Sequence, residues 1–140
     1  MYDAVEAEMP DRVFHLGDHI SDAEYLAAAF TALDFLYVPG NCDYAPSANP
    51  SILTECGGKR FFLTHGHLFG VKTGFTRLLM EARRLGADAA LFGHTHVSYC
   101  KRQPDGLWLF NPGSCSAASG NYGIIQIENG TIFCETKRID

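Results

Sequence analysis

Leu91-Phe92-Gly93-His94-Thr95-His96 is the segment around which the chain is organised. An apolar run breaks at a glycine into two histidines one residue apart, the pattern of a buried strand that hands ligands to the loop at its C-terminal end. Thr64-His65-Gly66-His67 repeats the device after Arg60-Phe61-Phe62-Leu63. Two more apolar runs end alike: Val13-Phe14-His15-Leu16 enters Gly17-Asp18, and Phe35-Leu36-Tyr37-Val38 enters Pro39-Gly40-Asn41-Cys42-Asp43. Each of these strand ends sets a glycine beside Asp, Asn or His, and together they hold the inventory of a divalent-metal site.

The 140 residues suffice for one domain with a real core. A net charge of −5 excludes a nucleic-acid partner held by a broad basic surface, while leaving room for an anionic substrate held locally by metal. No run approaches the roughly 18 apolar residues of a membrane span, and Met1-Tyr2-Asp3-Ala4-Val5-Glu6 lacks signal-peptide character, so a cytoplasmic location is expected. The five cysteines, Cys42, Cys56, Cys100, Cys115 and Cys134, are odd in number and form no C-x-x-C pair. Reduced thiols are expected.

Outward from the motifs, Tyr2 to Met9 reads as a short helix and Arg12 to Leu16 as the first strand. Ser21 and Glu24 have capping-box spacing for a helix from Ala23 to Leu33. Asp34 to Pro39 is a strand covered on both faces, and Tyr44 to Pro50 a loop. Ile52 to Thr54, the Gly57-Gly58 turn and Lys59 to Thr64 form a hairpin. Gly70 to Gly74 reads as a mobile loop before a helix from Phe75 to Leu85, stopped by Gly86, and Ala87 to Phe92 is again strand. Thereafter Val97 to Lys101, Leu107 to Phe110, Tyr122 to Glu128 and Thr131 to Thr136 are strands with no helix between them, turning at Asp105-Gly106 and Asn129-Gly130. The expected fold is one α/β domain over residues 1–140, two sheets packed together with helices outside.

Gly17-Asp18, Gly40-Asn41-Cys42-Asp43, Thr64-His65-Gly66-His67 and Gly93-His94-Thr95-His96, with Asn111-Pro112-Gly113-Ser114 after them, resemble the ordered motifs of the calcineurin-like metallophosphoesterase superfamily. The likeness is greatest to its small phosphodiesterases of the YfcE type. It implies a four-layer double β-sandwich flanked by helices and a site for two divalent metals, Mn2+ foremost, with Ni2+, Fe2+ or Zn2+ as alternatives. By motif, Asp18 is the expected bridging ligand, Asn41, His65 and His94 complete one metal, and His96 belongs to the other. His67 is the expected phosphate contact or proton donor. The implied reaction is phosphodiester hydrolysis by a metal-activated hydroxide, on a small phosphodiester, by a chain that forms homo-oligomers.

Two departures qualify the likeness. The family opens with a strand ending in Asp-x-His, which nothing before Val13 contains; Met1 to Val5 resembles the helix that follows that motif. The expectation is a truncated domain with its first strand missing, as an internal methionine taken as the start would produce, and an incomplete second metal site. Cys42 stands where larger phosphatases carry histidine, and a thiol of pKa about 8.5 is a poorer general acid near neutral pH. The alternatives are therefore a non-catalytic scaffold for protein interaction, like the superfamily's retromer subunit, or a one-metal binding protein. Beside these stand blander roles: His15 as a satisfied packing residue, His19 as a solvent-facing loop residue, Cys115 as a small buried residue rather than a nucleophile, and Gly57-Gly58-Lys59 as a turn.

Overall fold

The elements, in chain order, are α1 (Tyr2–Glu8), β1 (Arg12–His15), α2 (Ile20–Ala29), β2 (Asp34–Tyr37), β3 (Ser51–Cys56), β4 (Lys59–Thr64), α3 (Thr76–Arg84), β5 (Ala89–Leu91), β6 (Tyr99–Arg102), β7 (Trp108–Asn111), β8 (Asn121–Glu128) and β9 (Thr131–Arg138). The computed structural model describes residues 1–116 and 120–139. Its central sheet has the order β3-β4-β5-β7-β6, with β4, β5 and β7 parallel and each edge strand antiparallel to its neighbour.

Alternation along these strands sets the layers, because successive side chains leave opposite faces. Phe62, Ala90, Phe92 and Leu109 point to one face, where Leu78 and Ala82 of α3 join them with Val71 and Leu107. Phe61, Leu63, Ala89, Leu91 and Phe110 point to the other, where they meet Phe14, Leu16, Leu36 and Val38 from the β1–β2 region and Ile125, Ile127, Ile132 and Cys134 from β8 and β9. A central sheet buried on both faces explains the apolar runs of the sequence. On the outer side, Tyr2 of α1 stacks on Phe30 just past α2, with ring centroids 4.8 Å apart. Glu8 of α1 accepts from the Tyr122 hydroxyl at 2.7 Å and from Lys137 Nζ at 2.9 Å, which ties the helix to the β8–β9 hairpin. Arg12 binds β1 to its neighbours, reaching Asp34 at 2.7 Å and the Glu55 carbonyl at 3.0 Å.

This is the expected mixed α/β architecture, with one difference inside the second sheet. Among the described residues that layer is two separate pairs, parallel β1–β2 and antiparallel β8–β9. The hairpins at Gly57-Gly58 and Asn129-Gly130 form as read, with all four residues at positive φ. The start of α2 does not. The helix begins at Ile20, so Ser21 lies within it and the capping box is not made. The cap comes instead from Asp43, whose carboxylate accepts from the Ile20 N–H at 3.1 Å, a partner 23 residues distant. The 70–74 loop is anchored by Val71, which is buried in the core. The five cysteines are free, as expected.

Leu78→Ala removes a fully buried side chain between α3 and the sheet. It should cost about 2–5 kcal/mol in urea unfolding; a loss below about 1 kcal/mol would contradict the packing described. The bonds from Tyr122 and then Lys137 hold the Glu8 carboxyl below the ordinary carboxylate range. A depressed carboxylate stabilises the fold at neutral pH and loses that contribution as pH falls through its folded pKa. The stability gap between wild type and Glu8→Gln should therefore be present at about pH 7 and close as pH falls through the lowered folded pKa; a gap that widens on acidification would exclude this pairing.

Candidate active site

The four glycine-bearing loops meet at the C-terminal ends of β1, β2, β4 and β5. His65 lies at their centre and is 2% exposed. Its Nδ1 is 2.7 Å from the Leu16 carbonyl oxygen. A carbonyl only accepts, so Nδ1 carries the proton and Nε2 faces the site. Around Nε2 stand Asn41 Oδ1 at 3.1 Å, His94 Nδ1 at 3.2 Å and Asp18 Oδ2 at 3.4 Å. Four predicted residues from four separate strand ends are thus gathered around one nitrogen.

That approach requires glycine at two points. A Cβ on Gly17 would stand 2.6 Å from His65 Nδ1, and one on Gly40 would overlap the Asp18 carboxylate. Asp18 (φ 61°), His19 (57°), His94 (67°) and His96 (59°) all adopt the left-handed conformation, which side-chain-bearing residues seldom use. Such outliers collect where surrounding structure holds functional groups in place.

Two residues that the sequence reading left without a role do the holding. Asp43 accepts from the Gly40 N–H at 2.8 Å as well as from Ile20. Burial raises its pKa, but the backbone N–H groups of Gly40, Ile20, Asp18 and His19 together bring it below the usual carboxylate value. Asn111, fully buried, donates from Nδ2 to the Gly93 carbonyl and to Thr95 Oγ1, both at 3.0 Å, and accepts from Gly113 N–H at 2.9 Å. It clamps the loop that carries His94. The available signals were an acid closing a Gly-Asn turn and an asparagine ending an apolar strand.

His65, His67 and His94 pack ring against ring, with centroids 5.0–6.0 Å apart. Burial first, and then the neighbouring His65, lowers the pKa of both His67 and His94. Both rings are thereby favoured in the neutral form that binds metal. His67 Nδ1 is buried without a hydrogen-bond partner. Cys42 is exposed beside this group; the Asp18 charge, foremost, pushes its thiol up and away from thiolate. His96 is exposed and follows His94 by two residues on the same loop. His15 accepts from the Gly17 N–H at 3.3 Å and His19 is exposed at the head of α2, both as read. Cys115 is exposed rather than buried, its Sγ donating to the Asn121 carbonyl at 3.1 Å.

Among the described residues no three His, Cys, Asp or Glu side chains stand in a ready-made ion-holding arrangement. The donor chemistry nevertheless fits a divalent ion. With His65 neutral, its Nε2 lone pair faces the oxygen lone pairs of Asp18 and Asn41. Such a set, negative and short of protons, is one that a hard or borderline cation completes.

A double-layered α/β fold with carboxylate, amide and imidazole donors at its strand ends defines the class of metal-dependent hydrolases. More particularly, the chain belongs to the calcineurin-like phosphoesterase superfamily, whose domain profile matches residues 1–130. It is 32% identical over 128 residues to the probable metallophosphoesterase YsnB of Bacillus subtilis, covering 89% of this chain and 72% of YsnB. To the phosphodiesterase YfcE of Escherichia coli it is 32% identical over 101 residues, 64% of this chain and 50% of that protein, so it spans about half of YfcE's length. A predicted phosphoesterase from Streptococcus pneumoniae superposes with a TM-score of 0.82 at 25% identity, over 98% of this chain and 80% of the other. Vps29 from Entamoeba histolytica shares the fold with a TM-score of 0.77 at 20% identity, over 99% and 88% of the two chains. No helix among the described residues is long and apolar enough to cross a membrane.

Asn111→Leu keeps the volume but leaves the Gly113 N–H unpaired and removes the bonds to the Gly93 carbonyl and Thr95 Oγ1. At about 1–3 kcal/mol for a buried unpaired group, urea unfolding should show a loss of that order, and the His94 ring resonances should shift in NMR spectra. Unmoved His94 signals would rule out the clamp.

Proposed function

We propose that this chain is a metal-dependent phosphoesterase acting on phosphodiesters. The observation that carries the reading is the convergence of Asn41, His94 and Asp18 at 3.1–3.4 Å from His65 Nε2. These four side chains would hold a divalent ion, Mn2+ first among Ni2+, Fe2+ and Zn2+, and Asp18 with His96 would serve a second. When bound, the ions lower the pKa of water and offset charge that develops on the phosphoryl oxygens.

The chain's own residues supply the rest. His65, locked by Leu16, cannot turn, and the Gly17 and Gly40 backbones let Asp18 lie against it. His67 carries the one buried side-chain polar atom without a partner among the described residues, next to His65 and His94. Beside the two ligand histidines, His67 is the residue that binds the phosphoryl group or delivers a proton to the departing alkoxide. Cys42, held as a thiol, is a weak acid, which suits phosphodiesters with good leaving groups. The identity to YsnB and YfcE supports the reaction class.

A second reading has its own support. The donor set for a second ion is thin, Asp18 and the exposed His96 alone, and Vps29 shows the same fold in a vacuolar protein sorting protein. On this reading the chain is a non-catalytic scaffold, or a one-metal binder, that docks on other proteins. A chromogenic phosphodiester separates the two. Hydrolysis should require Mn2+, stop with chelator and fall at least about 100-fold in His94→Ala, the loss expected when a metal ligand is removed. Full activity in that variant removes the ligand assignment, and absence of turnover from a folded, Mn2+-loaded chain removes the enzyme reading in favour of the scaffold.

A further inference from the structure

One peptide unit, the link from Leu16 to Gly17, is held at both ends by histidines. Its carbonyl oxygen stands 2.7 Å from His65 Nδ1, and its N–H donates to His15 Nδ1 at 3.3 Å. The peptide is trans, so the two bonds leave opposite sides of one plane. That plane cannot turn about its flanking bonds without weakening both contacts together. The two rings come from different sheets, since His15 closes β1 and His65 directly follows β4.

His15 is itself fixed before the chain reaches the turn. It lies opposite Tyr37 in the parallel β1–β2 register, and its carbonyl accepts from the Val38 N–H at 3.1 Å. Gly17, at φ 100°, then brings its N–H back toward the ring two residues earlier, a local closure of the kind that Asn and Asp side chains make in turns. A backbone N–H only donates, so His15 Nδ1 carries no proton and the neutral ring keeps it on Nε2. The groups form one directed chain, from His65 Nδ1–H to the carbonyl and from the peptide N–H to His15 Nδ1. In such a chain the bond accepted at the carbonyl makes the N–H of the same peptide a stronger donor.

We propose that His15 is a positioning residue of the metal site, whose Nδ1 fixes the Leu16–Gly17 peptide and, through it, the His65 tautomer that leaves Nε2 free for the ion. This rests on the metal-dependent reading above and extends it to a residue that acts through His65 rather than on the ion. A packing role needs only the shape of the His15 ring. A positioning role needs an acceptor at the δ position, and substitution separates the two requirements. His15→Phe keeps a flat ring but deprives the Gly17 N–H of its acceptor. His15→Asn gives up the ring and sets an amide oxygen where Nδ1 stands.

Two readouts decide, and neither uses turnover. Heteronuclear NMR of the metal-free chain at about pH 8, above the ordinary imidazole pKa, identifies the protonated nitrogen of each ring. Calorimetry gives the affinity for Mn2+. Wild type should show His65 protonated on Nδ1 and His15 on Nε2. In His15→Phe, His65 should populate both tautomers and Mn2+ should bind about tenfold more weakly, the low end of the loss seen when the partner of a ligand histidine is removed. His15→Asn should restore the Nδ1–H tautomer of His65 and most of the affinity. A wild-type tautomer and affinity in His15→Phe, or equal losses in both variants, overturn the proposal. So does a wild-type His15 protonated on Nδ1, a result that needs no variant to fold. A wild type that binds Mn2+ but hydrolyses no phosphodiester removes the enzyme reading alone, and the tautomers and affinities still decide the role of His15.

Discussion

The hydrogen bond from His65 Nδ1 to the Leu16 carbonyl, 2.7 Å long, ties the end of β4 in one sheet to the end of β1 in the other, and the rest of the site depends on it. At 2% exposure the ring meets no water that could compete for its proton. The bond fixes the tautomer, the tautomer aims Nε2, and the three remaining donors are placed by what can approach Nε2. Gly17 and Gly40 are consequences of the same bond. With the ring locked there is no space for a side chain at 2.6 Å from Nδ1, or for one where Asp18 lies.

Holding those donors costs backbone energy. Asp18, His94 and His96 sit in a conformation that costs on the order of 1–3 kcal/mol each for residues with a side chain. The interactions that offset it are polar and local. Asp43 accepts backbone N–H groups on the Asp18 side, and Asn111 bonds Gly93 and Thr95 on either side of His94. Both are anchored to regular structure, Asp43 through the first turn of α2 and Asn111 as the last residue of β7. Two stacked sheets supply the rigidity, since a layer buried on both faces cannot shift by a fraction of an ångström without disturbing close packing.

The same physics explains what could be read from the chain. The central sheet was legible because strands covered on both faces appear as apolar runs, and Gly57-Gly58 and Asn129-Gly130 give turns that only positive-φ residues make well. The gathering of Asp18, Asn41, His65 and His94 was legible because the parallel pairs β1–β2 and β4–β5, in two stacked sheets, end at one rim. The start of α2 was not, since its cap is the side chain of Asp43, supplied by a distant loop rather than by Ser21. His94 and His96 share one loop and both adopt the left-handed conformation, which leaves His94 against His65 and His96 exposed. Motif spacing records which residues share a loop. It does not record which way that loop turns.

Exposure is graded across the site, and the gradient says where chemistry can enter. His65 is 2% exposed at the base, the Asp18 side chain 18% above it, and Asn41 and Cys42 open to solvent at the rim. A buried imidazole under partly covered oxygens keeps the base of the group at low dielectric, where fixed charges interact strongly. The open rim leaves the outer side free for an anion many atoms larger than phosphate. With an overall charge of −5, such an anion gains nothing from the protein's long-range field. Its attraction has to be local, centred on the cation that Asp18, Asn41, His65 and His94 are suited to hold.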